Sequence, residues 1–182
     1  MVKLTSKDIR TDVQPSVTAQ SYTPKPKIDG VQILDNPIFS GEDGTFEELG
    51  RFDAGMIQKF PDFEMKQLNR SIILPGSIKA WHLHYNQEDI WYVPPQDFIL
   101  LGLWDVREKS PTSGLSQKIV MGAGRARLVY IPRGVAHGAA NVSHKEATII
   151  YFVNQYFDAA KPDEQRLKWD LLGDDFWVPE KG

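Results

Sequence analysis

GSIKAWHLHYNQED, residues Gly76–Asp89, and PRGVAHGAAN, residues Pro132–Asn141, are the two stretches on which the reading of this chain turns. Ile78–Leu83 follows the Pro75–Gly76 turn signal and has the β-branched and aromatic content of a strand. His82 and His84 lie two apart, so on an extended chain both imidazoles leave from the same face. If that face is the interior one, both point into a barrel. Glu88 comes after a short turn, and His137 is expected just past another strand and a Pro–Gly turn.

Outward from these stretches, short apolar runs alternate with turn residues. Strands are expected at Ser71–Leu74, Ile78–Leu83, Ile90–Val93, Phe98–Trp104, Lys118–Met121, Arg127–Ile131 and Thr148–Val153. Pro94–Pro95, Gly122–Gly124 and Pro132–Gly134 punctuate them. Strands at this spacing predict an all-β fold, most naturally a jelly-roll barrel or sandwich. Helices are few and short: Asp53 is placed to cap one through Phe60, and Pro162 to open another through Lys168. Residues 1–30 are poor in large apolar side chains and interrupted by Pro15, Pro24 and Pro26. They are expected to form an extended arm, mobile or laid on a partner, ahead of a single domain at 31–182.

The 182 residues suit one domain of the usual size, about 100–200 residues. Cysteine is absent, which excludes thiol nucleophiles, disulfides and cysteine-based metal centres. A net charge of −3 argues against a nucleic-acid partner. No run approaches the roughly 20 apolar residues of a membrane span. The charged start MVKLTSKDIRTD lacks the apolar core of a secretory signal, so the expected location is the cytoplasm.

The two opening stretches resemble the paired motifs of the cupin superfamily. Gly76, His82, His84 and Glu88 fall at the intervals of the first motif, and Pro132, Gly134, His137 and Asn141 at those of the second. Pro95 and Ala126 stand where those motifs carry glycine. The resemblance implies a cupin-type jelly roll. By residue type, His82, His84, Glu88 and His137 would suit a divalent transition metal, so one reading is a metal-dependent cupin, an oxygenase or isomerase. Hydrogen bonding at a barrel mouth would account for the same side chains without a metal.

From Asp43 to Pro179 the chain is similar to the dTDP-4-dehydrorhamnose 3,5-epimerase family, metal-free cupins of nucleotide-sugar biosynthesis. EDGTFEE carries Phe46 and Glu48, QLNRS carries Gln67 and Asn69, and KAWH matches the family's Arg-Gly-Leu-His. DVREKSPTSG, Asp105–Gly114, matches its most specific string; PRGVAHG, IIYFVNQYF and KWD match three more. The resemblance implies a catalytic base at His82, a catalytic tyrosine at Tyr151 and an orienting carboxylate at Asp170, with Leu171 competing for that last position. It implies substrate contacts from Glu48, Gln67, Asn69, Lys79 and His137. It also implies no cofactor, a nucleotide-sugar substrate, and a homodimer that shares an N-terminal strand. The family's lysine at the keto oxygen aligns with Ile90, and an early arginine falls near Asp43.

Those residue types suit the reaction. A C4 ketone acidifies the protons on C3 and C5, so a base on one face of the ring can remove a proton and an acid on the other can return one. An imidazole titrating near neutrality is a sensible base. A pocket that kept the shape but lost the chemistry, a ligand-binding cupin, is the remaining reading. A tyrosine in IIYFV is, taken alone, an ordinary core residue with a satisfied hydroxyl.

Overall fold

The computed structural model describes residues 3–180. β1 (Gln32–Asp35) leads into a hairpin of β2 (Phe39–Gly41) and β3 (Gly44–Phe46), then a flap of β4 (Phe52–Asp53), β5 (Met56–Ile57) and β6 (Phe60–Glu64). The body follows as β7 (Gln67–Ile73), β8 (Ile78–Leu83), β9 (Asp89–Tyr92), β10 (Phe98–Asp105) and β11 (Ser116–Gly122). It ends with β12 (Arg127–Ile131), β13 (Val135–Ala140), β14 (Ala147–Val153) and the short β15 (Gln165–Arg166).

Ten of these strands form two five-stranded antiparallel sheets, in the orders β1-β12-β9-β14-β7 and β11-β10-β13-β8-β15. This is the jelly-roll sandwich that the strand spacing predicts. Between the sheets lies a core that includes Ile99, Leu101, Leu103, Val129 and Ile131. The outer faces are covered as well. The flap lays Ile57, Phe60 and Phe63 over Ile90, Tyr92 and Phe152. The C-terminal turn, Asp174–Trp177, puts Trp177 against Trp81 and Leu83. Burying an aromatic side chain of this kind contributes about 1.5–3 kcal/mol. Alternation then settles what faces inward: with Ile90 and Tyr92 under the flap, Asp89 and Trp91 point into the sandwich.

Both expected helices are absent. Ala54 and Gly55 adopt positive φ (47° and 86°), turning Asp53 into a hairpin and not a helix start. The apolar residues that follow bury themselves on a sheet face instead. Residues 162–168 are extended because β8 needs a partner on that edge: Arg166 pairs with His82, and Leu167 exchanges backbone hydrogen bonds with Trp81. His137 sits within β13, not just past a strand. Beyond Val135, VAHGAA lacks β-branched and large aromatic signals because the close approach to β8 demands small residues. A Cβ at Gly138 would lie 2.4 Å from the Ala80 side chain. Residues 3–27 are exposed throughout, and Ile28 is the first buried side chain. Among the described residues no helix is long and apolar enough to cross a membrane.

Candidate active site

The two sheets part at one end around a cavity of about 370 Å³. One wall comes from β8 and β13, where His82 and His137 are direct cross-strand partners with near-parallel rings 5.9 Å apart. His84, just past β8, sets its ring 5.2 Å from that of His137. The other wall comes from Asp89 and Trp91 of β9 and Tyr151 of β14, the last two facing each other in register. Ile73, Ala139 and Ile149 supply apolar surface, while Lys79, Glu164 and Arg166 bring charge. A neighbouring groove of about 540 Å³ shares His84, Gln87, Tyr151 and Glu164 and adds Gln67 and Asn69.

His82 is held from both sides. Its Nε2 lies 2.9 Å from Arg166 Nη1, and a guanidinium only donates, so Nε2 is the acceptor. Nδ1 therefore carries the proton and faces Glu164 Oε1 at 3.2 Å. Burial, then the neighbouring His137, Arg166 and His84, push the imidazole pKa down to about 3. The ring is neutral at pH 7. Asp170 is exposed and is not the carboxylate at His82; Glu164 stands there instead. The β15 register causes this, since pairing Arg166 with His82 brings residues 164–166 beside the imidazole and carries the chain past it before Asp170.

Tyr151 is half-buried, and burial raises its hydroxyl above the usual range, with Asp89 and Glu164 adding to the effect. It keeps its proton at neutral pH. Burial also pushes the Asp89 carboxyl up. Hydrogen bonding and charge from His137, with His84 and the Trp91 N–H, outweigh that and hold it below the ordinary carboxylate range.

Among the described residues, His84, Asp89 and His137 are the one group of three whose ligand atoms lie within 4.8 Å of one another. Glu88 is not part of it: the carboxylate turns away to Arg133, 2.8 Å, and to Asn154, 3.2 Å. Within the group, the Asp89 carboxylate already has protein partners. Gln87 Nε2 donates to Asp89 Oδ1 at 2.8 Å and lies 3.3 Å from His84 Nε2, while Trp91 Nε1 donates to Asp89 Oδ2 at 3.0 Å. Both carboxylate oxygens already accept protein N–H groups. The Nδ1 atoms of His84 and His137 donate to the carbonyls of Asp163 and Val135, which orients both rings.

The remaining expected residues divide. Lys79 lines the cavity and donates to Ser71 Oγ at 2.9 Å. Gln67 and Asn69 lie in the adjoining groove and bond to each other at 2.7 Å. Glu48 is outside the pocket, with its carboxylate on Arg51 and its carbonyl accepting from Asn36 and Lys59. Asp89, Glu164 and Arg166 are additions that the sequence reading missed. For Asp89 a signal existed: it shares the inward face of a strand with Trp91. For Glu164 and Arg166, in a polar run read as a helix, none did.

The structure is thus a cupin-type jelly roll with a neutral histidine and a protonated tyrosine on opposing walls of one cavity. Residues 25–172 match the family dTDP-4-dehydrorhamnose 3,5-epimerase. Over 143 residues the chain is 37% identical to the spore coat polysaccharide biosynthesis protein SpsL of Bacillus subtilis, covering 79% of this chain and 91% of that one. It is 28% identical over 145 residues to the probable low-salt glycan biosynthesis epimerase Agl13 of Haloferax volcanii, covering 80% and 90%. A crystal structure of dTDP sugar isomerase from Desulfovibrio desulfuricans G20 superimposes with a TM-score of 0.69 at 26% identity, over 85% of this chain and 91% of the other. The chain belongs to the dTDP-4-dehydrorhamnose 3,5-epimerase family. The comparisons bear out the epimerase reading, and none favours a metal-dependent cupin.

Proposed function

We propose that the protein is an enzyme that enolises a dTDP-linked 4-keto-6-deoxyhexose and re-protonates it with inversion at C3, C5 or both. The observation that carries this is the placement of His82 and Tyr151 on opposite walls of one cavity. His82, neutral and oriented by Glu164, takes the proton α to the ketone. Tyr151 returns one to the other face. Each positioned acid or base of this kind contributes about 10²–10⁴-fold. The C4 ketone itself supplies the acidity, so the chemistry needs no cofactor.

Ile90, buried under the flap, offers nothing to the enolate oxygen. Positive charge in the cavity comes instead from Lys79 and Arg166, which suit a diphosphate. A homodimer goes with this reading. Leu4, Val17 and Tyr22 of the arm and Phe39 and Phe46 of the β2–β3 hairpin are exposed on one subunit, apolar surface that a second copy would cover.

The test is incubation with a dTDP-4-keto-6-deoxyhexose in D₂O. Deuterium should appear at C3 or C5 with the wild-type protein and not with His82→Ala. Absence of wild-type exchange would overturn the reading in favour of a ligand-binding cupin.

A further inference from the structure

The lone pair that His82 needs for catalysis is already occupied. Nδ1 is turned to Glu164, so Nε2 is the atom left to accept a substrate proton, and Arg166 Nη1 sits on it at 2.9 Å. As it stands, the base is masked. Its mask is easily moved: the Arg166 side chain is 56% exposed and extends from a two-residue edge strand. It reaches the same cavity as Lys79.

We infer that Arg166 is a substrate-operated latch, which covers His82 in the free protein and moves onto the diphosphate when a nucleotide sugar binds. This rests on the function proposed above. An imidazole nitrogen offers a guanidinium one neutral acceptor, whereas a phosphate offers two charged oxygens that match its fork. Arg166 also pairs with Glu164, which in turn contacts His82. Withdrawing the guanidinium frees Nε2 and leaves the Glu164 carboxylate to His82 alone, so one movement both exposes and strengthens the base. Binding energy from the non-reacting diphosphate is thereby used at the reacting carbon. A 4-keto sugar without a diphosphate meets a covered base and is left alone.

The experiment supplies the substrate in pieces. A free 4-keto-6-deoxyhexose is incubated in D₂O with and without inorganic pyrophosphate. Pyrophosphate should raise wild-type deuterium exchange at least about tenfold, a part of what a general base contributes. Arg166→Gln should exchange the free sugar faster than wild type and ignore pyrophosphate, while showing a raised KM for the intact nucleotide sugar. In parallel, pyrophosphate should shift the His82 Nε2 ¹⁵N resonance in wild type and not in Arg166→Gln. Wild-type exchange that is unchanged or slowed by pyrophosphate, or an Arg166→Gln variant slower on the free sugar, overturns the latch. Failure of the wild type on the intact nucleotide sugar would instead remove the epimerase reading, and the latch with it.

Discussion

Glu164 Oε1 stands 3.2 Å from His82 Nδ1, the nitrogen that carries the proton because Arg166 Nη1 donates to Nε2 on the other side of the ring. Glu164→Gln should lower the deuterium-exchange rate by about ten- to a hundredfold, because the amide can present a donor to Nδ1 and favour the wrong tautomer. Asp170→Asn, on the exposed surface, should leave the rate within about twofold. Steady-state exchange of both variants decides between the two carboxylates. The reverse ranking would restore Asp170 as the orienting group.

Tyr151→Phe separates the two halves of the reaction. His82 alone can remove a proton and return a deuteron to the same face, so exchange should persist while inverted product falls by about 10²–10⁴-fold. NMR of the recovered sugar reads both quantities at once. Equal loss of exchange and inversion would place Tyr151 in the binding of substrate and not in proton return.

The pH dependence of stability has a definite sign. His82 is pushed down to about 3 in the fold from an ordinary value of 6.5, with burial the largest cause. Between those two pH values the unfolded chain binds a proton that the folded one does not, so stability falls as pH falls. The slope from this group is at most about 1.4 kcal/mol per pH unit. Thermal melts of wild type and His82→Gln from pH 7 to pH 4 should diverge, with the variant losing less. Parallel curves would show that His82 titrates normally.

Chelation tests the commitment of the Asp89 carboxylate to Gln87 and Trp91. Prolonged dialysis against EDTA should leave deuterium exchange into the nucleotide sugar unchanged, with metal content followed by elemental analysis. Loss of exchange, restored by one equivalent of a divalent metal, would show that the group opens to a cation.

Gly138→Ala probes the contact between β8 and β13. A Cβ there would fall 2.4 Å from the Ala80 side chain and 2.7 Å from the Lys79 carbonyl. Overpacking of this kind costs about 1–3 kcal/mol, measurable as a lowered urea midpoint. Because His137 and His82 face each other across the same pair of strands, exchange activity should fall as well.

Much of the architecture was legible because period-two burial leaves a local mark. Ile78–Leu83 and Arg127–Ile131 were read at their observed bounds, and Phe98–Trp104 fell one residue short. Turn residues and β-branched runs encode such strands within a few positions of themselves. β13 was missed for the opposite reason. Its small residues answer to the neighbouring strand and not to their own backbone preference. In the cavity, His82, His84 and His137 come together as the paired motifs implied, and Lys79 and Tyr151 join them as the family resemblance implied. Glu88 and Asp170 do not, since a carboxylate near a motif in sequence can turn to a different partner in space.

The chain by itself therefore determined the strand pattern, the absence of thiol chemistry and the histidines that line one face. Those follow from residue identity and from the alternation of an extended backbone. Only the tertiary structure decided which carboxylate meets which imidazole, and that an arginine covers the base. Such pairings depend on register across strands distant in sequence, where a shift of one residue exchanges the inward face for the outward one.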